Sequence, residues 1–456
     1  MTDGPNNIFL IIVDCLREDY GDILWNSLKQ LGFIRVDNTI SPSNWTTPSH
    51  ASILTGLYPL MHGAHETNDK IGFQVRLRKP EILLSRFLEN MGYTNYLISA
   101  NPYIRPEFGF VGFKFFYDIL YNPSFPLLSP NDRVKLRQVL ELPENKTRLD
   151  SVKYLLKKGE VILLSKSVLS YLLKDVYIYL SSYYRNWPLD KSANNFINLL
   201  KIILRKIDNS KSQNFFLVNL LDVHEPYSIY DRRNWKFRYN FRNYKNKAQI
   251  MKIWQKRYPL HVEYVSQKIL EFIKLLKVRG IYDNSLIIIT SDHGQLLGEY
   301  DILGHGAFLY DELLKVPLFV KPHSGIEITN DSEKISHSFV SLTKVKDLIL
   351  ECIYGSSQIK IEEVLCSEAV FAETYGGNVT KTELGRDIVE NMSKYRIAIY
   401  YKNFKGIFNV TDWKFEEIIS YNPDIEVTDD AVKHLKKEIL KFLKTGTSVK
   451  VPKIRV

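Results

Sequence analysis

Trp45-Thr46-Thr47-Pro48-Ser49-His50-Ala51-Ser52 follows an apolar run, Ile8 to Val13, that ends on Asp14, and Ser291-Asp292-His293-Gly294 answers it far downstream. The run Ile8 to Val13 is too short to cross a bilayer and has the composition of a buried strand. Behind the quoted stretch, Ile53-Leu54-Thr55-Gly56 and Tyr58-Pro59 predict a helix that closes on a turn. Leu286 to Thr290 is a second buried strand, and Asp292 and His293 sit at its end. Working outward, Leu83, Leu84, Phe87 and Leu88 recur at helical spacing, Gly92 ends that helix, and Tyr96 to Ser99 reads as the next strand. Asn214 to Leu221 is an apolar strand running into Asp222-Val223-His224-Glu225-Pro226-Tyr227, and Val262 to Leu276 is a helix. Val316 to Val320 is a further strand, with Pro317 suited to its beginning or to an edge. This alternation predicts an α/β fold with a large, mostly parallel sheet flanked by helices. Polar residues clustered at strand ends are where open sheets of this kind do chemistry.

Residues from about 388 onward have a different rhythm. Arg396 to Tyr401 alternates as a strand, Gly406 offers a turn, Ile407 to Val410 returns, and Ala431 to Leu443 is an amphipathic helix. The expected division is a main domain over 1–387, with a variable helical insertion near 130–210, and a small α+β subdomain over 388–456.

The chain has 456 residues, 45% of them hydrophobic, and a formal net charge of +10. That size buries a large core, and the charge favours anionic partners such as phosphate or sulfate esters and acidic lipid. The basic residues are dispersed and form no recognisable nucleic-acid module. Cys15, Cys352 and Cys366 have no metal-binding or disulfide spacing, and the first residues lack the pattern of a signal peptide. The expected location is cytoplasmic. The stretch Glu160 to Tyr184 is rich in Leu, Ile, Val and Tyr, but Lys166, Lys174 and Asp175 interrupt it. It reads as a buried or domain-covering helix, with an interfacial helix touching lipid as the alternative, and not as a membrane span. The Tyr/Arg/Asn-rich segment 230–247 reads as a substrate loop or a polar surface.

Asp14 at the end of a buried strand needs a compensating charge, which a metal supplies; a helix cap is the plain alternative. Asp292 and His293 add oxygen and nitrogen ligands, and Thr46 or Thr47 provides an alcohol that a divalent cation can activate. A mixed Asp/Thr/His set suits Mn²⁺ or Zn²⁺ better than Ca²⁺ or Mg²⁺.

Thr46-Thr47-Pro48-Ser49-His50-Ala51-Ser52-Ile53-Leu54-Thr55-Gly56 resembles the N-terminal motif of the sulfatase-like branch of the alkaline phosphatase/sulfatase superfamily. There, Cys or Ser precedes any residue, then Pro-Ser-Arg and a helix ending in Thr-Gly. The resemblance continues through His224-Glu225-Pro226-Tyr227, Ser291-Asp292-His293-Gly294 and Gly304-His305-Gly306. It implies an alkaline phosphatase-like sandwich, with Asp14, Thr46, Asp292 and His293 around one metal. His50 then stands at the arginine position, and His224 and His305 contact the ester or protonate the leaving group; with Asp222 they could instead complete a second metal site. The chain departs from the family at Cys15, where a second Asp is usual, at His293, where Asn is usual, and at Thr46. A threonine cannot become the formylglycine of ordinary sulfatases. The resemblance therefore implies a phosphodiesterase or phosphatase with a threonine nucleophile. The competing readings are a sulfate-ester hydrolase, a phospholipid head-group transferase, and a non-catalytic anion- or glycan-binding protein.

Overall fold

The computed structural model describes residues 4–65, 75–77, 80–140, 142, 147–207, 212–228, 247–329, 338–355, 357–376 and 390–446. The segment 230–246 of the expected substrate loop lies outside the described residues.

Seven strands form the large sheet: β1 (Asn7–Val13), β2 (Ile34–Val36), β3 (Thr94–Ser99), β4 (Phe115–Asp118), β5 (Asn214–Leu220), β6 (Ser285–Thr290) and β7 (Leu318–Lys321). Their order is β2-β7-β6-β1-β5-β3-β4. β1 lies at the centre, parallel to β5 with Asn7 opposite Asn214 and parallel to β6 with Asn7 opposite Ser285. β3 pairs in parallel with β5 and β4, whereas β7 runs antiparallel to both β6 and β2. Pro317 immediately precedes β7, outside the ladder, where its missing N–H costs nothing.

β1 is buried along its whole length and alternates between two cores. Phe9, Ile11 and Val13 face one layer with Phe196, Leu200, Phe272 and Leu276. Ile8, Leu10 and Ile12 face the other, with Ile53, Leu54, Leu348 and Ile349. A two-residue period on a sheet covered on both faces requires apolar side chains at every position, which is why the strand reads as a continuous apolar run. The covering helices include α1 (Thr46–Thr55), α5 (Ala193–Lys206), α6 (Lys247–Val278) and α7 (Val345–Tyr354).

A second sheet of four antiparallel strands, β8 (Ala369–Thr374), β9 (Arg396–Tyr401), β10 (Phe404–Asn409) and β11 (Lys414–Ser420), is covered by α8 (Asp429–Thr445). Leu435, Ile439 and Phe442 of α8 pack on Ile397, Ile399 and Phe408. Gly406 is not the turn expected from the sequence. The reversal falls at Lys402, with φ 51°, and Gly406 lies within β10, where a Cβ would meet the Phe415 ring at 2.8 Å.

Between β4 and β5 the chain forms α2 (Pro130–Leu140), α3 (Arg148–Lys157) and α4 (Val161–Tyr184). Of the readings for α4, the buried helix is overturned, since most of its residues are exposed or half-buried. Its buried residues are Leu163, Ser170, Ile178 and Ser181. Ser170 Oγ accepts from the Leu127 N–H and Ser181 Oγ bonds the Tyr121 hydroxyl, so the helix docks through two serines together with Leu163 and Ile178 and leaves most of its larger residues outside. Among the described residues no helix is long and apolar enough to cross a membrane.

Candidate active site

The parallel strands β1, β3, β5 and β6 end at one edge of the sheet, and their last residues meet there. Asp14 follows β1, Asn101 follows β3, Asn219 is the penultimate residue of β5, and Asp292 and His293 follow β6. Thr46 is the first residue of α1, so the helix starts three residues earlier than its polar Ser49-His50 pair indicates. Asp14, His50, Asp292 and His293 are fully buried.

Thr46 Oγ lies 3.4 Å from His293 Nε2 and accepts from Asn101 Nδ2 at 3.3 Å. The same Asn101 amide donates to Asp14 Oδ2 at 2.9 Å, and Asn219 Nδ2 approaches that oxygen at 3.4 Å. His293 Nε2 is 3.5 Å from Asp292 Oδ2 and 3.9 Å from Asp14 Oδ1. His293 Nδ1 is 2.9 Å from the Gly294 carbonyl. A carbonyl only accepts, so Nδ1 carries the proton, and the neutral ring presents the lone pair of Nε2 to Thr46 and both carboxylates.

These groups fit a divalent cation. Two carboxylates are buried together, and Asp292 Oδ2 has no hydrogen-bond partner, although such an atom is costly to bury bare. Burial pushes the Asp292 carboxyl up to about 7. Burial and the neighbouring Asp292 charge raise that of Asp14, while burial lowers the His293 imidazole. Each group is thus driven toward its neutral form, as expected where the charge that balances the carboxylates is a bound ion. Asp14, Cys15 and His293 each offer a ligand atom within 4.8 Å of the others.

Cys15 occupies the left-handed region at φ 67°. Its N–H donates to Asp292 Oδ1 at 3.3 Å, and its carbonyl accepts from the Tyr258 hydroxyl at 2.7 Å. A non-glycine residue held there carries local strain, and these two bonds fix it so that its sulfur sits 3.4 Å from Asp14 Oδ1 and 3.7 Å from His305 Nδ1. Beyond it, Cys15, His224, Glu225 and His305 form a second group with ligand atoms within 4.8 Å of one another. Gln295 organises this group by donating to Glu225 Oε2 at 2.6 Å while its Oε1 accepts from His305 Nδ1 at 2.8 Å. His224 Nδ1 lies 2.8 Å from the Glu225 carbonyl, so both histidines carry their proton on Nδ1.

Four further residues border the site: His50 and Asp222, named from the sequence, and Arg17 and His62. His50 Nδ1 donates to the Thr46 carbonyl at 3.0 Å and Nε2 accepts from Asn219 at 3.3 Å. Burial lowers its pKa to about 3, so it is a neutral strut. Asp222 does not join a metal group: its Oδ1 accepts from the N–H groups of Lys191, Ser192 and Ala193, and its Oδ2 from Ser192 Oγ. Arg17 pairs with Asp19 and Glu299. His62 bonds Ser52 Oγ and the Ala64 N–H. Asn101, Asn219 and Gln295 escaped the sequence reading. Their signal is a polar residue in or just beyond a buried strand, as where Asn219 interrupts Phe215 to Leu220.

A family model described as Sulfatase matches residues 6–346. Over 131 residues the chain is 25% identical to YidJ, an uncharacterized sulfatase of Escherichia coli, covering 29% of this chain and 22% of that protein. It is 32% identical over 106 residues to Agl7, a low-salt glycan biosynthesis sulfotransferase of Haloferax volcanii, covering 22% of this chain and 25% of that protein. The matched stretch thus spans about a quarter of each curated relative's length. The fold is similar to that of a phosphonate monoester hydrolase from Silicibacter pomeroyi, at TM-score 0.58 and 14% identity over 96% of this chain and 95% of that one. It is also similar to a 2-O GAG sulfatase, at TM-score 0.60 and 12% identity over 99% and 95%. With strand-end acids, a hydroxyl at the head of α1 and a family match over most of its length, the chain belongs to the sulfatase family of the alkaline phosphatase/sulfatase superfamily.

Proposed function

We propose that this chain is a metal-dependent hydrolase of phosphate esters, monoesters or diesters, with Thr46 as its covalent nucleophile. The observation that carries the reading is the placement of Thr46 Oγ between His293 Nε2 and the Asn101 amide, beside two buried carboxylates. Asp14, Thr46, Asp292 and His293 would hold the cation, and a nitrogen-containing ligand set favours Mn²⁺ or Zn²⁺ over Ca²⁺ or Mg²⁺. When bound, the ion lowers the pKa of the threonine hydroxyl and offsets charge on the ester oxygens.

In this reading Thr46 loses its proton to solvent and its Oγ attacks phosphorus. The Oγ–P bond forms as the bond to the leaving oxygen breaks, and His224 or His305, first protonated at Nε2 by solvent, supplies that oxygen's proton. Water then attacks the phosphothreonine, releasing phosphate or a phosphomonoester and restoring Thr46. Asn101 is a positioning residue that ties Thr46 to Asp14 through one amide. His50 fixes the first turn of α1 through the Thr46 carbonyl. Gln295 holds His305 in one tautomer.

Membership of the sulfatase family favours a second reading, a sulfate-ester hydrolase that uses the unmodified threonine. One paired assay separates the two: p-nitrophenyl phosphate, bis-p-nitrophenyl phosphate and p-nitrophenyl sulfate, each with Mn²⁺, Zn²⁺, Mg²⁺ and Ca²⁺. Turnover of a phosphate ester that disappears in Thr46→Ala supports the proposal. Turnover of the sulfate alone replaces it with the second reading, and equal activity in Thr46→Ala refutes the nucleophile.

A further inference from the structure

Helix α4 turns most of its apolar residues outward. On α4, Ile162 is 75% exposed, Leu172 68%, Tyr179 70% and Tyr183 78%, whereas Ser170 and Ser181 are buried. Ile162, Leu169, Leu172, Val176, Tyr179 and Tyr183 recur every three, four or seven residues and form one continuous stripe. No described residue covers it. Exposed neighbours such as Tyr171 and Leu180 widen the stripe on both flanks. The resulting face is broader than the a/d seam by which two helices pair.

Charge separates the possible occupants. Between residues 130 and 185 there are eleven Lys or Arg and six Asp or Glu, so an eighth of the chain carries half of its net +10. Arg148, Lys153, Lys157 and Lys158 of the α3 region and Arg185 at the end of α4 are exposed, and the Arg148 guanidinium lies over the Tyr171 ring of α4 at 5.7 Å. A second copy pairing through a two-fold axis would bring this cationic rim against itself. An anionic bilayer complements it: aliphatic side chains enter the acyl boundary, tyrosines occupy the headgroup level, and the basic rim meets lipid phosphates. The tyrosines are concentrated toward the C-terminal end of α4, at 171, 177, 179, 183 and 184. That end borders a cavity of about 520 Å³ whose mostly apolar lining includes Trp187, Pro188, Leu189 and Leu260 beside Arg257 and Glu263. As α4 is not a membrane span, it would lie in the interface plane.

We propose that the exposed face of α4 docks this protein on the surface of anionic membranes. This inference does not depend on the reaction assigned to Thr46. The test is flotation of the full chain with vesicles of phosphatidylcholine alone or mixed with phosphatidylglycerol, at low and high salt, beside light-scattering mass measurement without lipid. The expected result is recovery with the anionic vesicles, weakened by salt, and a monomeric mass in solution. Leu172→Asp and Tyr179→Asp should each lower recovery by about tenfold, because a charge is placed in the acyl boundary. Ile202→Asp, a 50% exposed position on α5 outside the face, should change nothing. All three variants should hydrolyse soluble p-nitrophenyl phosphate as the parent does, and Thr46→Ala should still float. Failure of the parent to float with either vesicle would overturn the proposal. So would a dimer in solution that Leu172→Asp dissociates, which would assign the face to a second copy.

Discussion

Asp292, fully buried, and Asp311, with 26% of its side chain exposed, are both carboxylates packed among other side chains, and they are treated in opposite ways. Asp311 receives Lys405 Nζ at 2.6 Å, Lys315 Nζ at 3.0 Å, and the hydroxyls of Tyr400 and Tyr421 at 2.9 and 2.7 Å. Every oxygen is answered, and despite burial the two lysines hold its carboxyl well below the usual range. Asp292 instead has one oxygen committed to the N–H groups of Cys15 and His293 and the other bare, facing His293 Nε2 and His50. The first arrangement ties the four-stranded sheet to the main domain. The second leaves binding capacity in place, at a cost in stability that a bound cation can offset.

The largest expected effect separates chemistry from architecture. Thr46→Ala should lower kcat by at least about a thousandfold, as loss of a covalent nucleophile does, with thermal stability close to the parent's. Steady-state kinetics and a melting curve on one preparation check both halves. Next, Asp311→Asn should destabilise the fold by about 3 kcal/mol, because buried Lys405 loses its counter-charge, while kcat changes little; urea unfolding measures it. Asp292→Asn should do the reverse. Its metal-free form should be no less stable than the parent at pH 8, but the stabilisation of about 2.7 kcal/mol expected from cation at a hundred times its Kd should vanish. If Asp292→Asn were as damaging without metal as Asp311→Asn, the contrast between the two sites would fail.

A smaller effect is read from pH. Glu373, buried in β8, accepts from the Leu60 N–H and from the hydroxyls of Tyr375 and Tyr395, and burial pushes its carboxyl from 4.5 up to about 7. Between those values the native state binds more protons than the unfolded chain, so stability falls as pH rises through the window. Glu373→Gln should flatten that part of the curve by on the order of 2 kcal/mol. Asp311 has the opposite sign, since its stabilisation is present above pH 3.8 and is lost as pH falls toward its depressed native value. Chemical denaturation from pH 3 to 8 follows Glu373 through its whole window and Asp311 only through the onset of its loss below pH 3.8.

The main sheet was legible because β1, β5 and β6 are buried on both faces, and that leaves an unbroken apolar run in the sequence. Asp14 and the Asp292-His293 pair stood out because such runs end on them. Asn101 and Asn219 were missed because an amide at a strand end has many ordinary uses, and only the fold brings them to Asp14. Gly406 misled because glycine marks turns, whereas here it makes room for the ring of Phe415. The helix α4 misled for a related reason. An apolar composition predicts burial, yet two of its serines make inward hydrogen bonds while Leu169, Leu172 and most of its tyrosines face outward.

Covalent bonding of Thr46 Oγ to phosphorus can be seen by trapping the intermediate. The enzyme loaded with Mn²⁺ or Zn²⁺ would be mixed with bis-p-nitrophenyl phosphate, quenched in acid within the first turnover, digested and mapped by tandem mass spectrometry. The added phosphoryl ester is expected on Thr46 in the peptide containing Trp45-Thr46-Thr47-Pro48-Ser49, and is expected to be absent in Thr46→Ala. A label on Thr47 or another residue, or undiminished turnover in Thr46→Ala with no label anywhere, would contradict it.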